Sequence, residues 1–248
     1  MGYEESKIEG RNAVLEAFRS GKTIDKLYVL DGCQDGPVKS ITREARKYDT
    51  IINYVAKERL DQLSETGKHQ GVIAVSAAYE YAEVDDILAA AEAKGESPFI
   101  IILDGIEDPH NLGAIIRTAN QAGAHGVIIP KRRAVGLTPT VARTSAGAIN
   151  YTPVAKVTNI SNTMKELKDK GMWFVCADMD GTRMYDLDMT GPIGLVIGNE
   201  GDGVSPLVKK NCDMVASIPM KGDIDSLNAS VATGVLAYEI VRQRIVKG

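Results

Sequence analysis

A series of short apolar segments rich in Ile and Val constrains the fold of this chain most strongly. From Pro98 onward the segments FIIILDGI, GVIIP, WFVCADMD, IGLVIGNE and MVASIP follow one another, with stretches of helical periodicity between them. Continuous apolar runs of this length are typical of parallel strands that are buried on both faces of a sheet. The second half of the chain is therefore predicted to be an α/β domain with a mainly parallel sheet.

The first part of the chain alternates shorter helices and strands. GRNAVLEAFRSG has apolar residues at helical spacing and stops at Gly21, and the strands IDKLYVLDG and GVIAVSAAY flank further helical segments. We predict a small α/β N-terminal domain over residues 1–79, a connection over 80–97 and a second domain over 98–248. The connection contains AEVDDILAAAEAKGES, an acidic helical pattern that ends in a polar turn.

Composition indicates a soluble globular protein, with 44% hydrophobic and 25% charged residues. No apolar run approaches the length of a membrane span, and the start MGYEESKIEG lacks a signal peptide's apolar segment, so we expect no membrane partner. Cys33, Cys176 and Cys212 are widely separated and odd in number. They form neither a disulfide framework nor a metal-ligand spacing, so we expect a reducing cytoplasm and no metal.

The glycine-rich loop in GLVIGNEGDGVS, residues 194–205, follows one of the apolar segments. Such loops often wrap backbone amides around a phosphate, yet this one offers Glu200 and Asp202 where a phosphate favours Lys or Arg. Its spacing is neither that of dinucleotide folds nor that of nucleotide-triphosphate loops. A tight turn that needs glycine would explain Gly198, Gly201 and Gly203 but not Glu200.

Two further stretches place polar residues beside buried strands. In DPHNLGAIIRTANQAGAHGVIIP, residues 108–130, a helix is predicted to open near Asn111, which is either a helix cap or a site residue. Arg117 on the polar side of the same helix is either a solvated charge or a second site residue. In IPMKGDIDSLNASVATGVLAYEIVRQ, residues 218–243, Ser226 or Asn228 is predicted to cap a helix whose small residues suit close packing, within the core or across a dimer.

The segment DMDGT, residues 178–182, resembles the nucleophile motif of haloacid-dehalogenase-type phosphatases. Lys221 and Asp223 offer a lysine and an acid downstream. About 40 residues between these elements are too few for the several strand–helix units of that core. DMDGT is therefore predicted to end a strand in an ordinary turn.

Three stretches in order, NLGAIIRTA, IGNEGDGVS and IPMKGDIDSLNASVA, resemble the three motifs of the SpoU (TrmH) family of S-adenosylmethionine-dependent RNA ribose 2′-O-methyltransferases. GRNAVLEAF and HQGVIAV resemble the accessory L30e-like RNA-binding domain found in family members that methylate a guanosine of large-subunit (23S) ribosomal RNA. The resemblance spans nearly the whole chain. It implies a small L30e-like α/β domain followed by an α/β trefoil-knot (SPOUT) methyltransferase domain that forms a homodimer.

The resemblance also implies a set of site residues. The catalytic positions, taken from the three motifs, are Asn111, Arg117, Glu200, Ser226 and Asn228. The positions that hold S-adenosylmethionine are Gly198, Asn199, Gly201, Ile218, Met220, Ser226 and Leu227. A cofactor with a sulfonium and no phosphate needs no lysine, which suits the acidic glycine loop.

RNA binding needs a positive surface, which a chain with a net charge of −4 must provide locally. The cluster at 131–133 is the first candidate, with further single cations elsewhere. The candidates are Lys131, Arg132, Arg133 and Arg143 in the second domain and Arg11, Lys68 and His69 in the first.

We therefore expect a cytoplasmic, homodimeric ribose 2′-O-methyltransferase acting on large-subunit ribosomal RNA. A transfer-RNA methyltransferase of the same family is the nearest alternative, although such enzymes usually lack the accessory domain. A phosphatase using DMDGT and a non-catalytic RNA-binding assembly factor are the alternatives from other classes. Arg117 and Glu200 both stay open as the base that takes the hydroxyl proton.

Overall fold

Two sheets organise the chain, and each belongs to its own compact unit. The computed structural model describes residues 7–223 and 226–247. The first unit comprises the described residues up to 80 together with 136–139, and the second comprises 81–135 and the described residues from 140 onward.

The first unit is built on a four-stranded sheet in the order β1-β4-β2-β3. Strands β2 and β3 are parallel and joined by α2, whereas β4 runs antiparallel to both β1 and β2. The apolar faces of α1 and α2 pack against this sheet through Val14, Phe18 and Ile41. Its elements are β1 (Lys7–Glu9), α1 (Arg11–Arg19), β2 (Ile24–Leu30), α2 (Gly36–Lys47), β3 (Ile51–Val55), α3 (Lys57–Leu63) and β4 (Val72–Ser76).

The second unit is built on a six-stranded sheet in the order β10-β8-β9-β5-β6-β7. All neighbouring strands pair in parallel, which confirms the prediction drawn from the apolar segments. The central strand β5 is buried along its whole length. The elements are α4 (Val84–Lys94), β5 (Phe99–Asp104), α5 (Pro109–Gln121), β6 (Gly126–Pro130), α6 (Pro139–Thr144), β7 (Val154–Val157), α7 (Ile160–Asp169), β8 (Trp173–Arg183), β9 (Ile193–Gly198), α8 (Pro206–Lys210), β10 (Met214–Ser217) and α9 (Ala229–Lys247).

The segment predicted as a connection, residues 80–97, contributes helix α4 to the second unit. A capping box formed by Glu83 and Asp86 starts the helix, and Gly95 in the left-handed conformation ends it. Ile87 is fully buried against the sheet, so close to β6 that a Cβ on Gly126 would lie 2.6 Å from its side chain. The acidic composition of this segment favoured the prediction of a connection, although one side of the helix is apolar and packs in the core of the second unit.

The turn predicted at DMDGT is wrong, because β8 continues through it to Arg183. Pairing with β10 jumps from Val215 opposite Cys176 to Ala216 opposite Thr182, so residues 177–181 bulge out between the two registers. A Cβ on Gly181 would lie 2.5 Å from the Val215 carbonyl oxygen. Glycine at this position therefore lets the strand rejoin its neighbour after the bulge.

The predicted knot depends on the path of the chain between β10 and α9, which includes residues 224–225 outside the described part. The knot therefore stays a prediction. In the part of the chain that the structure describes, no helix combines the length and the apolar character needed to cross a membrane.

Candidate functional site

Helix α5 begins at Pro109, two residues before the predicted start near Asn111. Asp108 caps it by accepting a hydrogen bond from the His110 amide at 2.9 Å, and Pro109 occupies the first turn. Asn111 therefore lies inside the helix, where it is buried with 7% of its surface exposed. The interpretation of Asn111 as a cap is wrong because Asp108 already fills that role.

Glu200 connects the three motif stretches. Its Oε1 atom accepts hydrogen bonds from Asn111 Nδ2 at 2.6 Å, from Asn228 Nδ2 at 3.0 Å and from the Ala229 amide at 3.3 Å. Asn228 Nδ2 also donates to Asn111 Oδ1 at 2.9 Å. Glu200 is exposed, so the side chains of Glu200, Asn111 and Asn228 meet near the surface, where α5 and α9 begin.

Asn228 also starts helix α9. Its Oδ1 accepts from the Ser230 amide at 3.0 Å and from the Ser230 hydroxyl at 2.6 Å. The predicted capping role is thus confirmed for Asn228, and the same side chain uses its amide nitrogen in the Glu200 network. Ser226 is exposed just before this cap.

The glycine loop folds on itself instead of presenting its amides outward. Asn199 Oδ1 accepts from the amides of Gly201 at 2.9 Å and Asp202 at 2.7 Å, and the Asn199 carbonyl accepts from the Gly203 amide at 3.0 Å. A Cβ on Gly198 would lie 2.0 Å from the Gly203 carbonyl carbon, so only glycine permits this close return of the chain. The amides of Gly201, Asp202 and Gly203 are thus already bonded within the loop and are not available to a phosphate.

A cavity of about 260 Å³ lies between this loop, the β8 bulge and the start of α9. All seven residues predicted to hold S-adenosylmethionine line it, and so does Glu200. The seven are Gly198, Asn199, Gly201, Ile218, Met220, Ser226 and Leu227.

The charge of the cavity wall is negative. Among the described residues that line it, Asp178, Glu200 and Asp202 are acidic and none is Lys or Arg. Asp178 pairs with Lys209 at 2.6 Å outside the lining, and this hydrogen bond holds the pKa of the Asp178 carboxyl below its usual range. The wall suits a ligand that carries positive charge and no phosphate.

Several wall residues were not predicted as site residues. The bulge contributes Ala177, Asp178 and Met179, and α9 and β10 add small alanines. The motif DMDGT lies at the bulge. Because an ordinary turn was predicted there, its residues were not expected to lie beside the glycine loop. A glycine inside an extended apolar segment was the available signal for a bulge.

A second cleft of about 630 Å³ lies on the other side of the glycine loop. It shares Asn199, Glu200, Asp202 and Gly203 with the cavity. Its other charged lining residues are Asp104, Glu107, Asp108 and Arg133. Glu200 therefore lies on a wall that the cavity and the cleft share, and both are lined mainly by acids among their charged residues.

Arg117 lies apart from the Glu200 network within one chain. It follows Asn111 by six residues, which turns it about 120° away around α5. Its side chain is exposed and makes no hydrogen bond or ion pair with any residue in the described part of the chain. Glu200 therefore orients Asn111 and Asn228, and it does not orient Arg117.

The cations predicted to meet RNA in the second unit lie mainly on the surface. Arg132, Arg133 and Arg143 are exposed, and Lys131 is half-buried. Arg143 donates a weak hydrogen bond of 3.5 Å to the Thr140 hydroxyl and is otherwise open to solvent.

The RNA-binding candidates in the first unit differ in whether their side chains already bond to other residues of the chain. The Arg11 guanidinium pairs with Asp35 at 2.6 Å and donates to the Gln70 carbonyl at 3.1 Å. His69 is buried, with Nε2 at 3.0 Å from Asp61 and Nδ1 accepting from the Gly71 amide at 3.0 Å. His69 thus has a structural role and presents no free atom to RNA, whereas Lys68 is exposed.

Comparison with known proteins follows the same division of the chain. Residues 98–238 match the model of the SpoU rRNA Methylase family, and residues 7–82 match a model described as RNA 2′-O ribose methyltransferase substrate binding. YacO of Bacillus subtilis (strain 168), whose name assigns it to the TrmH family of tRNA/rRNA methyltransferases, is 49% identical over 98% of both chains.

Two solved structures extend the comparison. The SpoU methyltransferase AviRb of Streptomyces viridochromogenes, in complex with the cofactor AdoMet, matches with a TM-score of 0.62 and 28% identity, covering 98% of this chain and 91% of that one. The TrmH/SpoU tRNA modifying enzyme of A. aeolicus matches with a TM-score of 0.56 and 32% identity, covering 62% of this chain and 78% of that one. The chain therefore belongs to the SpoU family of S-adenosylmethionine-dependent RNA methyltransferases.

Proposed function

We propose that the protein transfers a methyl group from S-adenosylmethionine to the ribose 2′-hydroxyl of a guanosine in 23S ribosomal RNA. The observation that carries this proposal is the Glu200 network, which joins all three motif stretches at the wall shared by the cavity and the cleft. Cofactor and ribose would then meet across one rigid group of side chains.

The lining of the cavity suits S-adenosylmethionine in its charge and in its apolar side chains. When bound, the cofactor supplies an electrophilic methyl group on a positively charged sulfonium. The acids of the wall favour that charge, and the apolar side chains of Ile218, Met220 and Leu227 offer a surface to the adenine. The glycine loop keeps its shape beside the cavity because Gly198 has no side chain that would collide with Gly203.

Glu200 acts in this proposal as a positioning residue. Its Oε1 accepts three hydrogen bonds, which hold the carboxylate against Asn111, Asn228 and the start of α9. By fixing Asn111 and Asn228, it holds the wall against which the ribose is placed. Correct placement alone supplies a large part of the acceleration of a group transfer.

Arg117 is proposed to bind the RNA phosphate and the negative charge that develops on the ribose oxygen as the new C–O bond forms. Its guanidinium is exposed and has no partner among the described residues, so it is available to an external anion. Arginine keeps its proton throughout the biological range, which favours the electrostatic role over that of a base. A pH–rate profile of Arg117→Lys and Glu200→Gln separates a base from a positioning residue, because only the loss of a base removes a limb of the profile.

A second copy of the chain is proposed to complete the site. Val231 and Tyr238 on α9 are each about half exposed, at 50% and 51%, and α9 packs beside α5, which carries Arg117. A homodimer through these helices would cover apolar surface and bring Arg117 to an interface.

Two-unit architecture favours ribosomal RNA over transfer RNA. The first unit matches a substrate-binding model over residues 7–82, and the match to YacO covers 98% of this chain. The A. aeolicus tRNA modifying enzyme covers only 62% of it. The accessory unit thus separates this chain from that tRNA enzyme.

Mapping of ribose methylation tests the proposal directly. Ribosomal and transfer RNA from cells with and without the gene would be compared at single-nucleotide resolution. We expect loss of one guanosine 2′-O-methyl in 23S ribosomal RNA. Loss of a transfer-RNA methyl with intact ribosomal RNA would replace the substrate, and unchanged methylation of both would refute the activity.

A further inference from the structure

A groove in the first unit carries cations that pair with no other residue in the part of the chain that the structure describes. It has a volume of about 640 Å³ and runs between α2, the loop after β2 and the edge strand β3. Lys39, Arg43 and Arg46 line it from α2, and Tyr54 lines it from β3. None of these residues belongs to the candidates that the sequence motifs suggested.

The three cations form one continuous face of α2. Their spacing of four and three residues places them in a row on a helix, extending about 10 Å along its axis. All three side chains are exposed, and none makes a hydrogen bond or ion pair among residues 7–223 and 226–247.

Neighbouring cations of the same unit behave differently. Lys7 pairs with Glu65 at 3.0 Å, Arg11 with Asp35 at 2.6 Å and Arg19 with Glu16 at 2.8 Å. The groove contains one acid, Asp31, whose Oδ1 accepts from the Gly32 amide at 2.9 Å. The groove therefore keeps a net positive charge that a partner from outside can neutralise.

Tyr54 adds an aromatic surface to this charge. It is 52% exposed on the edge strand, across from the cationic face. Cations in a row beside an exposed aromatic ring are the combination that binds single-stranded RNA, since phosphates meet the cations and a base stacks on the ring. A volume of this size admits a nucleotide.

We propose that this groove binds an unpaired segment of the substrate RNA, with phosphates on Lys39, Arg43 and Arg46 and a base on Tyr54. The inference rests on the proposed function only in naming RNA as the ligand. It assigns to the first unit a surface that holds the RNA while the second unit performs the transfer.

The double variant Arg43→Gln/Arg46→Gln tests the groove, with Arg19→Gln/Lys165→Gln as a control that also removes two exposed cations outside it. The probe is a transcript of 23S ribosomal RNA, with total transfer RNA as a second probe, and affinity is measured by filter binding over a range of salt. We expect the groove variant to bind RNA at least about tenfold more weakly. The slope of the logarithm of the binding constant against the logarithm of the salt concentration should be shallower by about 1.4. The control should keep the affinity of the wild type to within about twofold.

Tyr54→Ala and Tyr54→Phe test the stacking. Alanine should weaken binding about tenfold, whereas phenylalanine keeps the ring and should bind like the wild type. Thermal unfolding of each variant shows that the first unit remains folded.

Methyl transfer by the same proteins separates this inference from the proposed function. In steady-state assays the groove variant should raise the KM for RNA and leave kcat and the affinity for S-adenosylmethionine unchanged. Wild-type binding of RNA without methyl transfer would refute the activity and leave the groove intact. Methylation by the wild type with unchanged RNA affinity in both groove variants would refute the groove, and so would failure of the wild type to bind either RNA.

Discussion

The cavity of the second unit and the groove of the first unit treat their polar groups in opposite ways. Around the cavity, Glu200 and Asn199 are engaged with neighbouring side chains and amides, and the lining carries no described cation. In the groove, the side chains of Lys39, Arg43 and Arg46 have no partner among the described residues. Polar groups that are satisfied internally build a rigid wall, whereas unsatisfied exposed cations are available to an anion from outside.

Arg117 provides the largest expected effect, because this exposed cation pairs with no described residue and is proposed to meet the reacting ribose. Replacement by alanine should lower single-turnover methyl transfer about 1000-fold by removing charge stabilisation at the ribose. The affinity for S-adenosylmethionine should not change, since Arg117 does not line the cavity.

Lys165→Ala removes an exposed cation on α7 and serves as the control for Arg117→Ala. Methyl transfer by Arg117→Ala at the rate of this control would remove Arg117 from the site.

Glu200→Ala should lower methyl transfer about 100-fold, because the orientation of Asn111 and Asn228 is lost. The buried amide of Asn111 would also lose its acceptor, at a cost of about 1–3 kcal/mol in unfolding free energy. Glu200→Gln retains an acceptor oxygen and should keep part of both properties. Assays of single-turnover rate and urea unfolding would measure the two effects together.

An exposed acid on α7 provides the matched control for the Glu200 variants, since Glu166→Gln alters charge without touching the network. Equal rates in Glu200→Ala and Glu166→Gln would show that the network has no part in the reaction.

Gly198→Ala should weaken S-adenosylmethionine binding about tenfold and destabilise the second unit by about 1–3 kcal/mol. Its Cβ would lie 2.0 Å from the Gly203 carbonyl carbon, so the loop must move away from the cavity. Calorimetric titration of the cofactor measures the loss. Gly191→Ala is the control, because a Cβ there meets no atom within 4 Å, and an equal loss in both variants would contradict the role of the loop.

The smallest expected effect concerns the stability of the fold in acid. It depends on Glu9, whose carboxylate accepts hydrogen bonds from neighbouring residues of the first unit. Burial acts to raise the pKa of Glu9, but hydrogen bonds from the hydroxyls of Ser64 and Thr66 and from two amides outweigh it and lower the pKa from 4.5 to about 2. The folded pKa lies below the unfolded value. Glu9 therefore stabilises the fold above about pH 4.5 and loses this contribution as the pH falls toward about 2.

Glu9→Gln should remove this pH dependence, at a cost of about 0.2–1 kcal/mol at neutral pH that vanishes in acid. Urea unfolding at about pH 7 and about pH 3 would measure it. Glu65→Gln, which removes the acid of an exposed ion pair with Lys7, serves as the control variant. A difference between wild type and Glu9→Gln that is the same at both pH values would contradict the pKa of Glu9.

Sequence patterns sufficed for the parallel sheet, because each buried strand leaves a continuous apolar segment that needs no knowledge of its neighbours. They failed where a local signal had two physical outcomes. DMDGT contains turn-forming residues, yet Gly181 lets β8 pass close to Val215 and continue. Asn111 could have capped α5, but Asp108 and Pro109 start the helix earlier.

The candidate site lay beyond local patterns altogether. Asn111 and Glu200 are 89 positions apart, and Asn111 and Asn228 are 117 apart. Only the resemblance to three family motifs predicted that these residues share a site. It did not predict which residues form hydrogen bonds with Glu200. The same motifs gave no indication of the groove, since the groove cations lie on α2, outside the motif stretches.

The central claim is that one unit binds the cofactor and the other holds the RNA, and two affinities measured in two variants test it most directly. The affinity for S-adenosylmethionine and the affinity for a 23S ribosomal RNA transcript would be measured for Gly198→Ala and for Arg43→Gln/Arg46→Gln. We predict that Gly198→Ala loses cofactor affinity and keeps RNA affinity, and that the groove variant does the reverse. Loss of both affinities in either variant, or unchanged RNA affinity in the groove variant, would contradict this division.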